Sequence, residues 1–180
     1  MHVLDIAENS VAAGAGMVEI AVEEDSSVDR LTVSVEDDGK GMDEQTLCSI
    51  TDPFVTSRST RVAGLGIPFL KAAAEACNGG LDIVSVPGKG TRLVAEFERG
   101  HIDLVPLGDL ASTVLTLVVG FPDVRWLLRY RVDGESFTFD SEPIGAELGE
   151  IPWTQPSVLR YVREMLEGGV ARVQRTAPQA

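Results

Sequence analysis

Apolar residues recur along the first part of the chain with two different spacings, one helical and one alternating. Between Val3 and Ala13 they follow the spacing of a helix, and Gly14 is a typical residue for its end. The helical spacing returns between Gly64 and Cys77, which predicts a second helix. Alternating or short apolar segments predict four strands, at residues 17–23, 31–36, 81–86 and 91–97. Helices and strands in this order predict an α+β fold, a two-layer sandwich with the helices on one face of a mixed sheet.

The segment between the second strand and the second helix lacks this regularity. Asp43 is a good N-cap for a short helix that runs through Ile50, and Asp52-Pro53 then ends that helix. Residues 56–61 are polar and have no periodicity, which predicts a loop.

Residues beyond Arg99 and Gly100 carry a second, smaller set of elements. We predict a helix near residues 107–119, a hairpin over residues 124–139 that turns at Asp133-Gly134, and a helix near residues 157–167. The chain is therefore predicted to consist of a domain over residues 1–99 and a small α+β appendage over residues 100–180.

The chain is strongly acidic, since 28 aspartates and glutamates against 15 lysines and arginines give a formal charge of −13. This charge repels phosphate backbones and anionic lipids, so we expect no nucleic-acid partner. No apolar run approaches the roughly 18 residues of a spanning helix, so we predict no membrane segment. Asp5 and Glu8 stand where a secretory signal would be basic, which favours a cytoplasmic protein. In that compartment Cys48 and Cys77 should be unbridged thiols, buried or half-buried.

The acidity also limits how the chain could hold a phosphorylated ligand. Backbone amides, a helix N-terminus and a metal ion would have to replace a basic surface. Gly64 and Gly66 open a predicted helix, so their N–H groups are suited to meet phosphate oxygens. Asp5 and Asn9 lie four residues apart and share one helix face, which presents a carboxylate and an amide oxygen to one site. The Walker A pattern of P-loop proteins does not occur in the sequence.

Four segments resemble, in order and spacing, the boxes of the GHKL (Bergerat-fold) ATPase superfamily, which includes sensor histidine kinases and MutL-type mismatch-repair ATPases. They are residues 5–15 for the N-box, 33–42 for the first glycine box, 52–58 with 63–67 for the F-box and second glycine box, and 87–91 for the last box. Together they extend over nearly all of residues 1–98. The resemblance implies the Bergerat fold and the binding of ATP with Mg²⁺.

The resemblance also implies roles for individual residues. Asn9 would complete the Mg²⁺ shell, and Asp5, where the MutL pattern has glutamate, would be the general base that activates water. Asp37 would accept a hydrogen bond from the adenine amino group, and the Thr91 hydroxyl would support Asp37. The loop that precedes Gly64 would be the ATP lid, with Arg58 or Lys71 as auxiliary cations. The other implied nucleotide contacts are Gly39, Gly41, Met42, Gly64, Leu65, Gly66 and Ile67.

Three activities of different class would use this pocket. The chain could be a slow ATPase that works as a conformational switch, an ATP-dependent kinase that phosphorylates a partner protein, or a nucleotide-binding regulator without turnover. The sequence has two histidines, His2 and His101, and neither lies in a predicted helical hairpin, so we expect no histidine-kinase acceptor domain in this chain. A kinase of this kind would resemble freestanding histidine kinases or anti-sigma serine kinases. The partner and the oligomeric state stay open.

Overall fold

The computed structural model describes residues 3–50 and 66–176 of the chain. The loop predicted over residues 56–61 therefore lies outside the described residues. Six helices and six strands lie within the described ranges, in the order α1 Val3–Ala12, β1 Met17–Asp25, β2 Arg30–Asp37, α2 Glu44–Ile50, α3 Gly66–Ala76, β3 Gly80–Val86, β4 Gly90–Glu98, α4 Leu110–Gly120, β5 Arg125–Val132, β6 Glu135–Asp140, α5 Ser141–Leu148 and α6 Pro156–Thr176.

The six strands form one sheet in the order β3-β4-β2-β1-β5-β6. Neighbouring strands run antiparallel except β1 and β5, which run parallel, with Met17 opposite Arg125 and Glu24 opposite Val132. The sheet is therefore mixed, as predicted. Its two central strands, β2 and β1, come from the first forty residues, and β1 joins the strands of the two halves of the chain.

Alternation of apolar and polar residues gives the sheet one buried face. Successive side chains of a strand point to opposite faces, so the apolar residues of these strands share one face. Helices α1, α3, α4 and α6 contribute buried residues to the core on that face. The sheet residues of this core that are almost fully buried are Val18, Ile20, Val22, Leu31, Val33, Val35, Leu93, Ala95, Phe97, Trp126, Leu128, Tyr130, Val132 and Phe139. The structure thus confirms the predicted α+β sandwich.

The opposite face of the sheet carries charged pairs between neighbouring strands. Arg129 lies 3.2 Å from Glu19, and Arg131 lies 3.2 Å from Glu23, so β5 and β1 are linked by two ion pairs. Such exposed cross-strand pairs stabilise a sheet only modestly, by about 0.2–1 kcal/mol each. They keep this face polar and leave the apolar residues for the helices.

The elements after residue 100 are built into this sheet. The Arg125 amide donates to the Gly16 carbonyl at 2.9 Å, which extends the β1–β5 ladder into the turn after α1. Helix α4 contacts α1, and α6 contacts α4, β5 and β6. The described residues after residue 100, up to residue 176, thus share one core with the first part of the chain, and the division at residue 99 stays a prediction. No helix among residues 3–50 and 66–176 is long and apolar enough to cross a membrane.

A network of hydrogen-bonded polar side chains surrounds Glu24, near the end of β1. Glu24 accepts hydrogen bonds from the Tyr130 hydroxyl at 2.9 Å and from Arg99 Nε at 3.1 Å, and Gln174 of α6 donates to the Tyr130 oxygen at 3.3 Å. Burial raises the pKa of Tyr130 to about 12, chiefly because the phenolate would lose its hydration. The network links β1, β5 and α6 with Arg99, the residue that follows β4.

Several local predictions can be compared with these elements. Asp43 caps α2, since its carboxylate accepts from the Thr46 amide at 2.8 Å. The hydrogen bonds from the Thr46 side chain and from the Thr46 amide lower the pKa of Asp43. Cys77 is buried, which raises the pKa of its thiol. The prediction was wrong for Cys48, which is exposed because α2 buries none of its residues. Helix α5 was not predicted, and α6 continues well beyond residue 167.

Candidate nucleotide-binding site

The carboxylate of Asp37 lies at the end of β2 and is held on both of its oxygens. Ser10 Oγ of α1 donates to Oδ2 at 2.7 Å, and the Gly39 amide donates to Oδ1 at 2.9 Å. Ser10 is only 4% exposed, so this hydrogen bond is largely protected from water. A carboxylate bonded in this way has a fixed orientation and keeps lone pairs for a further donor.

The neighbouring aspartate holds the backbone beside this site. Asp38 Oδ1 accepts from the Gly16 and Met17 amides at 2.7 and 2.8 Å. These bonds tie the turn between α1 and β1 to the end of β2. Asp38 was not among the predicted site residues. An aspartate after a strand commonly bonds nearby amides.

The glycines of this region let two backbone segments approach each other. Gly41 has φ +62°, and a Cβ there would lie 2.1 Å from the Val86 carbonyl oxygen. Gly90 has φ +102°, and a Cβ there would lie 1.8 Å from the Asp37 carbonyl oxygen. These two glycines therefore allow the segment after β2 to pack against the β3–β4 turn.

Thr91 lies directly opposite Asp37 in the β2–β4 ladder. Its hydroxyl, however, lies 2.8 Å from Ser85 Oγ, and both oxygens of Asp37 bond other donors. The predicted hydrogen bond from Thr91 to Asp37 is therefore replaced by one between Thr91 and Ser85. Ser85 and Thr91 can bond because they face each other across the β3–β4 pair. Ser85 Oγ also accepts from the Met42 amide at 2.8 Å, so it links three parts of the site.

Ser85 is a residue of this site that sequence reasoning missed. It stands in the alternating series Leu81, Ile83 and Ser85 of β3, whose other members are apolar and pack against the core. A serine where the pattern expects an apolar residue was the available signal. Ser10 carries a similar signal, since it is a serine at a buried position of α1 that the helical spacing shares with Val3, Ile6 and Ala7.

The other end of the site lies where α1 approaches α3. A Cβ on Gly66 would lie 3.1 Å from Asp5 Cβ, so Asp5 lies directly against the first described residue of α3. Asp5 is exposed and Asn9 is half-buried, one helical turn further along α1. Ser10 follows Asn9 and bonds Asp37, so one short helix connects the Asp5–Gly66 contact with the Asp37 carboxylate.

The remaining predicted contacts differ in what the structure says of them. Ile67 is half-buried and packs against the core, and Met42 joins the site through its amide. Lys71 lies 4.0 Å from Glu75 of the same helix, so part of its charge is already balanced. Three of the predicted nucleotide contacts lie outside the described residues: Arg58, Gly64 and Leu65.

The side-chain oxygens on α1 fit a Mg²⁺ ion that takes most of its ligands from water molecules and from the nucleotide. Within residues 3–50 and 66–176 no group of three or more His, Cys, Asp or Glu side chains could hold a metal ion. Mg²⁺ at nucleotide sites usually takes only one or two protein oxygens in addition to phosphates and waters. The amide oxygen of Asn9, with the carboxylate of Asp5 one turn away, offers such oxygens.

Comparison with known proteins agrees with this geometry. The sequence profile of the histidine kinase-, DNA gyrase B- and HSP90-like ATPases matches residues 2–101. A sensor protein kinase of Pseudomonas aeruginosa, FleS, is 39% identical over 89 residues, which cover 49% of this chain. The match spans only 22% of the length of FleS. Because this profile matches more than half of its residues, the chain belongs to the histidine kinase-, DNA gyrase B- and HSP90-like ATPase family.

Proposed function

We propose that this chain binds ATP together with Mg²⁺ between α1, the end of β2 and the start of β4, and that it uses the nucleotide to regulate a protein partner. The regulation would work in one of two ways. Either slow hydrolysis switches the conformation of the chain, or the γ-phosphoryl group passes to the partner. A cytoplasmic location stays a prediction from the sequence.

The fixed carboxylate of Asp37 is the observation that carries this proposal. With Ser10 and Gly39 as donors, it presents a pre-oriented acceptor at the end of a buried strand. Adenine has an amino donor at the position where guanine has a carbonyl acceptor. An acceptor that cannot rotate away therefore favours adenine over guanine, because a carbonyl would face it with like partial charge.

The phosphates of the nucleotide would bind where α1 contacts α3. Asn9 would offer its amide oxygen to the metal, and the backbone near Gly66 would face the phosphate oxygens without a side chain in the way. Bound Mg²⁺ would neutralise the charge that develops on the transferring phosphoryl group. Asp5, against Gly66, is positioned to accept a proton from a water molecule or from an incoming acceptor hydroxyl.

The similarity to a sensor protein kinase supports the phosphotransfer reading as the second candidate. FleS shares 39% identity with this chain over 89 residues. Phosphoryl transfer depends mostly on positioning and charge neutralisation, so it tolerates a poorly placed base if a partner delivers the acceptor. A nucleotide-dependent interaction module without turnover is the remaining alternative.

One labelling experiment separates these uses. The pure chain is incubated with γ-labelled ATP and Mg²⁺, and free phosphate is then separated from labelled protein, with and without cell extract. Asp37→Asn is the matched control, because it should weaken nucleotide binding without changing the size of the side chain. Free phosphate without extract supports the switch, whereas a labelled extract protein that disappears with the variant supports the kinase.

Two results would go against the proposal. ATP binding that is absent by calorimetry in wild type would reject the site as a nucleotide site. ATP binding without phosphate release and without labelling would leave only the interaction module, and the proposed turnover would be withdrawn.

A further inference from the structure

An open apolar groove lies along α3, on the C-terminal side of the Gly66 turn that contacts Asp5. Its volume is about 310 Å³, and its walls are α3, the end of β4 and the segment that follows β4. The residues that line it are Phe69, Leu70, Ala73, Cys77, Phe97, Leu104 and Val105. Leu104 and Val105 lie beyond residue 101, where the family match ends, so the family profile does not cover one wall of the groove.

The rim of the groove exposes apolar side chains that a monomer would normally shield. Phe69 is 53% exposed and Val105 is 57% exposed, on opposite walls. Ile102, on the same segment as Val105, is 94% exposed. Single exposed apolar residues are common, but Phe69 and Val105 both line one apolar groove, and exposed apolar surface of this kind marks interaction sites.

The dimensions suit a helix. Phe69 and Ala73 of α3 and Cys77, the residue after α3, follow one another at intervals of four, so they form a stripe of about 12 Å, or two turns. The alanine in the middle of the stripe lets another backbone approach closely, and Leu104 with Val105 forms the opposite wall. An amphipathic helix places its apolar anchors at this same spacing when it lies in a groove.

The charges beside the groove are negative. Glu98 and Asp103 lie close enough to Cys77 that, after burial, their charges also raise the pKa of its thiol. Glu98 accepts from Asn78 at 2.6 Å, while Asp103 is exposed to solvent. A second copy of this chain would bring a net charge of −13 to this acidic rim, which disfavours self-association there. A partner with basic residues beside its apolar side is complementary.

We propose that the groove between α3 and residues 101–107 binds the apolar side of an amphipathic helix from a partner protein, with lysine or arginine residues of that helix facing Glu98 and Asp103. The surface is separate from the nucleotide site. The inference therefore does not require that the chain turn over ATP.

A designed peptide tests the groove directly. A fluorescein-labelled leucine–lysine peptide of about 14 residues, arranged so that leucine follows a helical period, is titrated with the full chain and followed by fluorescence anisotropy. A peptide of the same composition in scrambled order controls for plain attraction to an acidic protein. A leucine–glutamate peptide with the helical pattern controls for the charge of the partner.

We expect the patterned lysine peptide to bind at least about tenfold more tightly than either control. Val105→Asp should weaken that binding about tenfold, while Val28→Asp, at a 62% exposed valine of the β1–β2 turn, should not change it. Asp103→Asn should weaken it about two- to threefold, and only at low salt. Circular dichroism and melting curves would show that each variant is folded. Phe69→Asp is the second variant if Val105→Asp is not folded.

Two results would overturn the proposal. Equal binding of the patterned and scrambled peptides, or binding that Val105→Asp and Phe69→Asp leave unchanged, would mean that charge alone attracts the peptide. A wild-type dimer in sedimentation analysis that Val105→Asp converts to a monomer would mean that a second copy covers the groove. Neither result bears on ATP binding, which calorimetry on the same samples measures independently.

Discussion

At the scale of single residues, Asp37 should decide which base is bound. Asp37→Asn keeps the shape of the side chain but presents an amide that can donate where adenine also donates. A hydrogen bond to a charged acceptor in a partly dry pocket contributes about 1.5–3 kcal/mol, so the affinity for ATP should fall roughly tenfold to hundredfold. Calorimetry with ATP and GTP measures this.

Ser10→Ala provides a graded comparison for the same site. It removes the donor to Asp37 Oδ2 but leaves the carboxylate charge and the Gly39 bond, so the loss of affinity should be smaller than for Asp37→Asn. Equal affinities of the wild-type chain for ATP and GTP would contradict the assignment of Asp37.

Asp5 and Asn9 should differ in what they contribute. Asn9→Ala removes an expected oxygen ligand of Mg²⁺, so metal-dependent nucleotide binding should weaken and any turnover should stop. Asp5→Asn keeps size and polarity but removes a base, so ATP should still bind while hydrolysis falls roughly 10²–10⁴-fold. Phosphate release and calorimetry, run on both variants, separate binding from turnover. Unchanged hydrolysis in Asp5→Asn would exclude Asp5 as the base.

At the scale of elements, the strands and most helices could be predicted, because each shows its own period of apolar residues. The end of α6 could not. Gly168 and Gly169 resemble a helix end, yet the helix runs on to Thr176. The reason is a contact with another element: a Cβ at Gly169 would lie 2.2 Å from the Phe137 ring of β6. A glycine chosen for close packing cannot be distinguished, in sequence alone, from a glycine chosen for a turn.

Gly168 and Gly169 therefore make a matched pair of substitutions. Gly169→Ala should destabilise the fold by about 1–3 kcal/mol, because the Phe137 ring must move to admit the methyl group. Gly168→Ala meets no atom within 4 Å and should stabilise the fold by about 0.5–1 kcal/mol through helix propensity. Denaturant unfolding of the two variants measures both changes. Equal effects of the two alanines would contradict the packing explanation.

The candidate site could be predicted only in part, for a similar reason. Asp37, Asn9 and Asp5 stand in recognisable local patterns. The bonds from Ser10 to Asp37 and from Ser85 to Thr91 join residues of different elements, and their partners depend on strand register and helix packing. The sequence alone does not show whether the Thr91 hydroxyl bonds Asp37 or Ser85, because the answer depends on how β3 pairs with β4.

At the scale of the whole molecule, the network around Tyr130 should make stability depend on pH in the alkaline range. The pKa of Tyr130 is raised from 10 to about 12 in the folded state, so its contribution to stability is complete below pH 10 and is lost as the pH rises toward about 12. Tyr130→Phe should lack this component. The measurement is the free energy of unfolding of wild type minus that of the variant across this range. A constant difference would contradict the burial of the phenol.

Truncation tests how the two parts of the chain depend on each other. A chain that ends at residue 99 loses β5 from the edge of β1 and loses α4 and α6 from the common core. We expect this fragment to unfold at a lower temperature or to aggregate, and to bind ATP weakly if at all. A fragment that folds cooperatively and binds ATP like the full chain would instead support an independent domain over residues 1–99.

The parallel pairing of β1 with β5 also has a consequence for the order of events during synthesis. Met17 pairs with Arg125, so roughly a hundred residues must leave the ribosome before β1 gains its second neighbour. Until then the nascent chain has an open strand edge of alternating valine and isoleucine, a surface that promotes association with other chains. We therefore expect folding to complete late in translation, and the nascent chain to be a good client for holdase chaperones over that interval.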